Sequence, residues 1–154
     1  MASGAIRASS VLVAGTASGE VLVLARPLSL WGGVDPERGV VTSHGHPQLG
    51  SPLTGRVVVM PVVIGSSSSS SVLAEMLRRG TGPAALVLGH PDSILAIGSI
   101  VAGRMYQRGC PIVVLDTAGM ATLAGARRAH VHDDLVELEG PGLSHTAAPG
   151  ATTP

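Results

Sequence analysis

The segment GRVVVMPVVIGSSSSSSVLAEMLRRG, residues 55–80, decides the fold. It opens with an apolar, β-branched run at 55–63, which is typical of a strand buried on both faces. A short helix is predicted over 71–79, because its apolar residues have helical spacing and Gly80 suits the position after a helix. Serines at 66–71 join the two elements. Strand, turn and helix in this order form the unit from which parallel α/β sheets are built.

Downstream of this unit the same pattern repeats. The apolar runs AALVLG (84–89) and PIVVLD (111–116) are predicted to be buried strands. A longer helix capped by Asp92 is predicted between them over 93–108. Its apolar stripe consists of Ile94, Ile97, Ile100 and Val101. The pattern predicts a parallel sheet with right-handed crossovers.

The two ends of the chain are less regular. Short β-rich runs occur at 11–14 and 20–25, a Gly- and Pro-dense loop follows, and one short strand is predicted at 39–42. TAGMATLAGARR, from residue 117, is predicted to form a short helix, and HVHDDLVELEG (130–140) an edge strand. We predict a compact α/β domain of β/β/α type with a buried, largely parallel sheet. It spans residues 1–140 as a single domain, and 141–154 form a disordered tail.

Composition narrows the classes of function. The chain has 154 residues, 45% of them hydrophobic, which suits one domain with a sizeable core. Ten Lys and Arg balance ten Asp and Glu, which argues against a nucleic-acid partner. Low charge density also gives little protection against association, so a covering protein partner is expected.

One cysteine, Cys110, permits no internal disulfide and no self-contained iron–sulfur or Cys-rich zinc site. No secretory signal is evident at the N-terminus. The longest apolar run, 57–64, is interrupted by Pro61 and falls short of the roughly 20 residues of a membrane span. We expect a soluble cytoplasmic protein that uses no membrane.

The serine run lies where ligands bind in parallel sheets, after a strand and before a helix. The first turn of a helix offers unpaired N–H groups and the positive end of the helix dipole. Hydroxyls there can cradle an anion, and one of them, stabilised as an alkoxide, can act as a base. The alternative is a polar helix cap, but capping needs only one serine. We therefore interpret 66–71 as a ligand site.

Five segments together carry a resemblance to a known family. They are PLSLWGGVDPERG (27–39), HPQLG (46–50), GSSSSSSVLAEM (65–76), GPAALVL (82–88) and ILAIGSIVAG (94–103). In this order and spacing they resemble the small subunit, or swivelling domain, of aconitase X. The similarity covers about residues 4 to 116.

This resemblance implies a swivelling β/β/α domain and a hydro-lyase. Members pair a small subunit with a large one that carries an iron–sulfur cluster, and the active site lies between them. No cluster is expected on this chain alone. The implied substrate is a small hydroxy acid. One choice is cis-3-hydroxy-L-proline, which gives Δ1-pyrroline-2-carboxylate, and the other is phosphomevalonate. The Ala-, Gly- and Arg-rich, Lys-free composition favours the former.

The resemblance also implies roles for particular residues. A serine after Gly65 is the base that takes the proton α to the carboxylate, with Ser66 the first choice and Ser67 the second. The substrate-binding set is Gly65, Ser68, Ser29, Trp31, Gly32, Gly33 and His46. No metal ligand is assigned. Relatives often carry an Arg where Ile64 stands, so the cationic partner of the carboxylate stays open, with the large subunit as one source.

Alternatives stay open for the whole chain and for single residues. The chain could be a non-catalytic anion-binding module or a structural swivel domain. Trp31 could fill a gap in the core instead of facing the site. His44 and His46 lack a third metal ligand nearby, and Cys110 suits a small buried residue. Residues expected to be solvated are His130, His132, Asp133 and Asp134 on the edge strand, and Glu75 on the helix surface.

Overall fold

The computed structural model describes residues 4–141. The strands are β1 (Gly4–Arg7), β2 (Ser10–Val13), β3 (Thr16–Val23), β4 (Val34–Asp35), β5 (Val40–Val41), β6 (Val57–Met60), β7 (Ala85–Leu88), β8 (Ile112–Val114), β9 (Ala126–His132) and β10 (Leu135–Pro141). The helices are α1 (Leu30–Gly33), α2 (Ser69–Arg79), α3 (Ser93–Tyr106) and α4 (Thr117–Ala124). Eight strands form one sheet in the order β1-β10-β9-β3-β6-β7-β8-β2, and β4 and β5 form a separate ribbon.

The centre of the sheet is parallel. Strands β3, β6, β7 and β8 pair in parallel, with α2 and α3 as the crossovers after β6 and β7. The apolar run of β6 is buried on both sides. Val57 and Val59 face one core cluster, while Val58 and Met60 face the other. Helices α2 and α3 cover one face of the sheet, and α4 covers the other. The predicted α/β class with a buried parallel core is confirmed.

Antiparallel strands complete the sheet on both sides and curl it. β2 pairs with β8, while β9, β10 and β1 follow β3 on the other side. β1 and β2 stand at opposite ends of the strand order, yet only Ala8 and Ser9 separate them. Three residue steps span at most about 10 Å, so the two ends of the sheet must approach each other. The Ala8 N–H donates to Asp134 O (2.7 Å) and the Ser9 N–H to Val114 O (2.9 Å), so the linker joins both ends.

Several predicted boundaries shift for identifiable reasons. β6 ends at Met60 because Pro61 has no N–H to donate to a neighbouring strand. α2 begins at Ser69, two residues earlier than predicted, so part of the serine run is helical. α3 ends at Tyr106 because Gln107 adopts a left-handed conformation. The short strand expected at 39–42 is β5.

The N-terminal and C-terminal strands also differ from expectation. The runs predicted at 11–14 and 20–25 correspond to β2 and β3, and β1 was not predicted. The expected edge strand over 130–140 is wrong, because this segment holds parts of two internal strands, β9 and β10. The N-terminal β1 adds to the outside of β10 and so covers that edge. His130 and His132 pair across the hairpin with Glu139 (3.1 Å) and Glu137 (3.4 Å).

The hairpin turn carries the remaining predicted edge residues. Asp133 has φ 52° and its carboxylate accepts from the Gly15 N–H (2.9 Å), while Asp134 pairs with Arg7. The tail expected from residue 141 lies outside the described residues, apart from Pro141, which ends β10. Within residues 4–141, no helix combines the length and apolar character needed to cross a membrane.

The apolar stripe predicted on α3 faces outward. An apolar stripe usually packs against the core, but Ile97, Ile100 and Val101 remain 53%, 47% and 38% exposed. Leu95 and four small residues make the inner face instead, with Gly98 against α2. A Cβ on Gly98 would lie 2.6 Å from the Ser70 carbonyl oxygen, so only glycine permits this helix contact.

A buried serine fixes the segment before β8. The Ser99 hydroxyl, which is fully buried, donates to Cys110 O (2.6 Å) and accepts from the Cys110 N–H (2.8 Å). Cys110 itself is buried, as the sequence indicates, and burial raises the pKa of its thiol to about 11. One hydroxyl thus replaces the strand partner that both backbone groups of Cys110 lack.

Replacing Ser99 by alanine leaves two buried backbone groups without these partners. We expect Ser99→Ala to lower the free energy of unfolding by about 1–3 kcal/mol. Chemical denaturation followed by circular dichroism measures the loss. Ser93→Ala, at an exposed position of the same helix, should change stability by less than about 0.5 kcal/mol. Equal effects of the two substitutions would contradict the role given to Ser99.

The Cys110 thiol should resist alkylation in the folded chain. A pKa of about 11 against an ordinary value of about 9 lowers the thiolate fraction at pH 8 about 100-fold, and burial slows access further. Iodoacetamide labelling followed by mass spectrometry should give slow modification in buffer and fast modification in guanidinium. Labelling at the same rate in both would show that this thiol is not protected.

Candidate functional site

Two loops meet at the carboxyl ends of β3 and β6. After β3 the chain continues to Leu28, which forms a parallel bridge with Val63 beyond the end of β6. The bridge extends the β3–β6 pairing past Pro61 and brings the segment 27–33 beside the segment 62–71. These are the Trp-Gly-Gly loop and the serine run of the sequence, which lie more than thirty residues apart in the chain. The structure therefore brings the two predicted loops together at the end of the sheet where ligands bind in parallel folds.

The loops touch at Gly65. This glycine has φ +123°, and a Cβ there would lie 2.4 Å from Ser29 Oγ and 3.1 Å from Ser69 Oγ. The 2.4 Å distance is too short for a real Cβ atom and the 3.1 Å distance is tight, so this contact, at a positive φ, requires glycine. Gly65 is thus the point at which the serine run is held against the Trp-Gly-Gly loop.

Ser69 joins the same contact from the first turn of α2. It is buried, and its Oγ accepts from the Trp31 N–H (3.4 Å), while the Ser29 hydroxyl donates to the Trp31 carbonyl (2.9 Å). Both backbone groups of Trp31 are therefore held by serines from the two loops. Ser69 was not among the predicted site residues. Ser69 could have been found by predicting an earlier start of α2, because it then lies in the first helical turn, three residues after Ser66.

The first three serines of the run are exposed. The Ser66 Oγ accepts from the Ser68 N–H (3.0 Å), so this oxygen already has one backbone donor. The amides of residues 69–72 bond to carbonyls of Ser66, Ser67 and Ser68, at 3.0–3.2 Å. Within residues 4–141, the amides of Ser66 and Ser67 have no protein acceptor. They precede the start of α2, where the helix dipole also favours negative charge.

Capping of the N-terminus of α2 does not account for the serine run. Ser68 precedes α2 and makes no side-chain cap hydrogen bond, and the Ser70 hydroxyl donates back to the Ser67 carbonyl (2.8 Å). The Ser67 side chain makes no hydrogen bond within the described part of the chain. Of the two candidate bases, Ser66 thus has a donor on its oxygen and Ser67 does not.

The Trp-Gly-Gly loop presents an exposed indole beside the serines. Trp31 is 59% exposed, which rules out the alternative that it fills a gap in the core. Gly32 has φ +80° and open space where a Cβ would project, whereas a Cβ on buried Gly33 would lie 2.8 Å from Leu28 Cδ1. Gly32 permits the turn, and Gly33 permits the packing of the loop.

His46 orders a neighbouring turn. It is 8% exposed, its Nε2 donates to the Arg26 carbonyl (3.0 Å), and its Nδ1 accepts from the Gln48 N–H (3.0 Å). The Gln48 side chain in turn accepts from the Ala25 N–H (2.9 Å). Backbone groups use both ring nitrogens, so the His-Pro turn is tied to the chain that leaves β3.

The described residues do not provide the ligands for a metal cluster. Across 4–141, no group of three or more Cys, His, Asp or Glu is placed to bind a metal ion. The Cys110 thiol is buried, and both ring nitrogens of His46 are hydrogen-bonded to backbone groups. An iron–sulfur cluster therefore does not fit this part of the chain.

Comparisons with known proteins agree with this geometry. A family model described as the aconitase X swivel domain matches residues 6–139. A cis-3-hydroxy-L-proline dehydratase of Pseudomonas aeruginosa is 48% identical over 68% of this chain and 18% of its own length. A phosphomevalonate dehydratase small subunit of Pyrococcus furiosus is 34% identical over 75% of this chain and 87% of its own.

A solved structure has the same fold. The crystal structure of Thermococcus kodakaraensis aconitase X, in its holo-form, superposes with a TM-score of 0.77 at 29% identity. The match covers 89% of this chain and 99% of that one. The chain spans only about a fifth of the first dehydratase but most of the small subunit. Because the family model matches nearly all of the described residues, this chain belongs to the aconitase X swivel domain family.

Proposed function

We propose that the chain is the small subunit of an aconitase X-type dehydratase and supplies the base of the reaction. The observation that carries the proposal is the contact of the Trp-Gly-Gly loop with the serine run at Gly65, in a member of this family. It creates one surface of exposed hydroxyls, free amides and an indole at the carboxyl ends of two parallel strands.

Ser66 is the proposed base. A serine hydroxyl is a weak base, and its alkoxide needs hydrogen-bond donors and favourable electrostatics. The Ser68 N–H donates to the Ser66 Oγ, and the start of α2 adds the positive end of a helix dipole. Ser67, the second choice, lacks such a donor within the described residues.

The reaction is an elimination of water. The Ser66 oxygen would take the proton from the carbon α to the carboxylate, and the electron pair of that C–H bond would form the double bond as the hydroxyl leaves. Departure of the hydroxyl depends on groups outside this chain, since the cluster of the family does not fit here. The free N–H groups of Ser66 and Ser67 are suited to donate hydrogen bonds to one carboxylate of the substrate.

A large partner is part of the proposal. Ser66, Ser67 and Ser68 are open to solvent in this chain, and elimination chemistry requires a site from which water is excluded. This chain matches 18% of the length of the Pseudomonas aeruginosa relative, so most of that protein lies outside the matched region. We propose a large subunit that covers the serines and holds the cluster.

The proposed substrate is cis-3-hydroxy-L-proline. Elimination across C2–C3 gives the enamine, which becomes Δ1-pyrroline-2-carboxylate when the proton on the ring nitrogen is lost and C3 gains one from water. The 48% identity to a relative named for this substrate supports the choice. Residues 27–33 and 62–71 contain no Lys, Arg or His, so they suit one carboxylate better than an additional phosphate. Phosphomevalonate is the second candidate, because the chain aligns with 87% of a small subunit named for it.

Ser66→Ala should abolish turnover without affecting assembly. With the large subunit of its organism, the variant should form the complex and lose about 10²- to 10⁴-fold in kcat. Anaerobic initial rates on cis-3-hydroxy-L-proline measure this. Ser67→Ala is the matched control and should lose less than tenfold.

The other outcomes separate the alternatives. Loss of activity with Ser67→Ala alone would move the base by one residue. A rise in KM with kcat unchanged for Ser66→Ala would indicate a residue that only binds the substrate. Two silent substitutions in an active complex would favour a structural swivel domain.

Substrate choice is tested separately with the wild-type complex. We expect Δ1-pyrroline-2-carboxylate from cis-3-hydroxy-L-proline and no product from phosphomevalonate, with both followed by mass spectrometry. The physical reason is that the two loops contain no Lys, Arg or His, so their free amides suit one carboxylate but not a phosphate in addition. The reverse result would leave the dehydratase assignment intact and replace the proposed substrate.

A further inference from the structure

Helix α3 is apolar on its outer side as well as on its inner side. Ile97, Ile100, Val101 and Met105 are 38–65% exposed, whereas Leu95 and Ala102 on the inner side are buried. A helix that is apolar all round is normally buried on all sides. Helix α2 is the internal contrast, because its outer positions Ser71, Arg78 and Arg79 are polar.

The exposed residues form a ridge between two depressions. On one side, Ile97 and Val101 line a depression of about 260 Å³ shared with Ser70, Ala74 and Glu75 of α2. On the other side, Ile100 lines one of about 410 Å³ that includes the β2–β3 turn. A ridge with a depression on each side permits shape-complementary packing with a partner, whereas an isolated exposed apolar residue does not.

The first depression has little net charge to attract a charged ligand, and Arg104 is the charged residue that lines the second. Glu75 in the first depression bonds to Arg78 (2.7 Å) and Arg79 (2.6 Å), and these partners lower the pKa of its carboxyl to about 2. Arg79 also pairs with Glu37 (3.7 Å), so two acids balance the two arginines. The chemistry left for a partner is that of an apolar protein segment.

The ridge is continuous with the candidate site. The first depression begins at Ser70 and Ser71, directly after the serines proposed to meet the substrate, and runs to Tyr106 at the end of α3. Any protein that covers Ser66 lies at one end of this depression. A partner that covers the exposed serines is therefore within reach of the ridge.

We propose that an apolar segment of the large subunit docks along the α3 ridge and fills the depression between α2 and α3. This inference rests on the proposed function, since it names the surface through which the proposed partner binds. The ridge supplies the apolar contact area, and the serine run lies at its end.

The experiment measures binding of the full chain to the purified large subunit by calorimetry. Ile97→Glu and Met105→Glu place a charge on exposed ridge positions and should each weaken binding at least about 30-fold. Ile97→Ala, which removes contact area without adding charge, should weaken it less. Ala121→Glu, at an exposed position of α4 on the other face of the sheet, is the matched control and should bind like the wild type.

Each outcome decides the inference. Wild-type affinity of both Glu variants, in a complex that still dehydrates its substrate, would overturn the ridge as the interface and leave the proposed function standing. If the Glu variants bind more weakly but the wild-type complex has no dehydratase activity, the ridge would be supported as the interface and the proposed function overturned. A ridge variant that abolishes self-association of the chain, with binding of the large subunit unchanged, would assign the ridge to a second copy and overturn the inference.

Discussion

The close approach of Gly65 to Ser29 and Ser69 is the constraint on which the candidate site depends. It holds two loops that come from distant parts of the chain at a separation that no side chain on residue 65 would permit. Parallel pairing of β3 with β6 brings the loops to the same end of the sheet, and the Leu28–Val63 bridge carries that pairing past Pro61. Trp31, held through both backbone groups, is then fixed beside the hydroxyls of the serine run.

Much of this arrangement could be predicted from the sequence, because it depends on local patterns. The β-branched run of β6, its glycine and the following serines indicate a strand, a turn and a helix start, and a parallel sheet fixes where their junction lies. The role of Ser69 was missed because it depends on where α2 begins and on Trp31, which lies 38 residues away. The exposure of Trp31 likewise depends on long-range packing.

The errors in the fold have a common physical origin. The Ile residues of α3 were the natural candidates for its inner face, but Gly98 and Ser99 occupy it because α2 and Cys110 approach too closely for larger residues. The C-terminal hairpin was expected at an edge, because nothing in GAIR (residues 4–7) indicates a strand that would cover it. In each case the decisive neighbour is remote in sequence, whereas the successful predictions concern neighbours within one strand–helix unit.

The curl of the sheet has a consequence for the order of folding. Gly4 in β1 pairs with Leu138 in β10, so one of the first described residues pairs with one of the last. Such pairing carries a high loop-closure cost and slows folding, in contrast to the local β6–α2–β7 unit. On a ribosome, the first strand would leave the exit tunnel long before its partner is made. The parallel centre can form early, while closure of the sheet waits for the C-terminal hairpin.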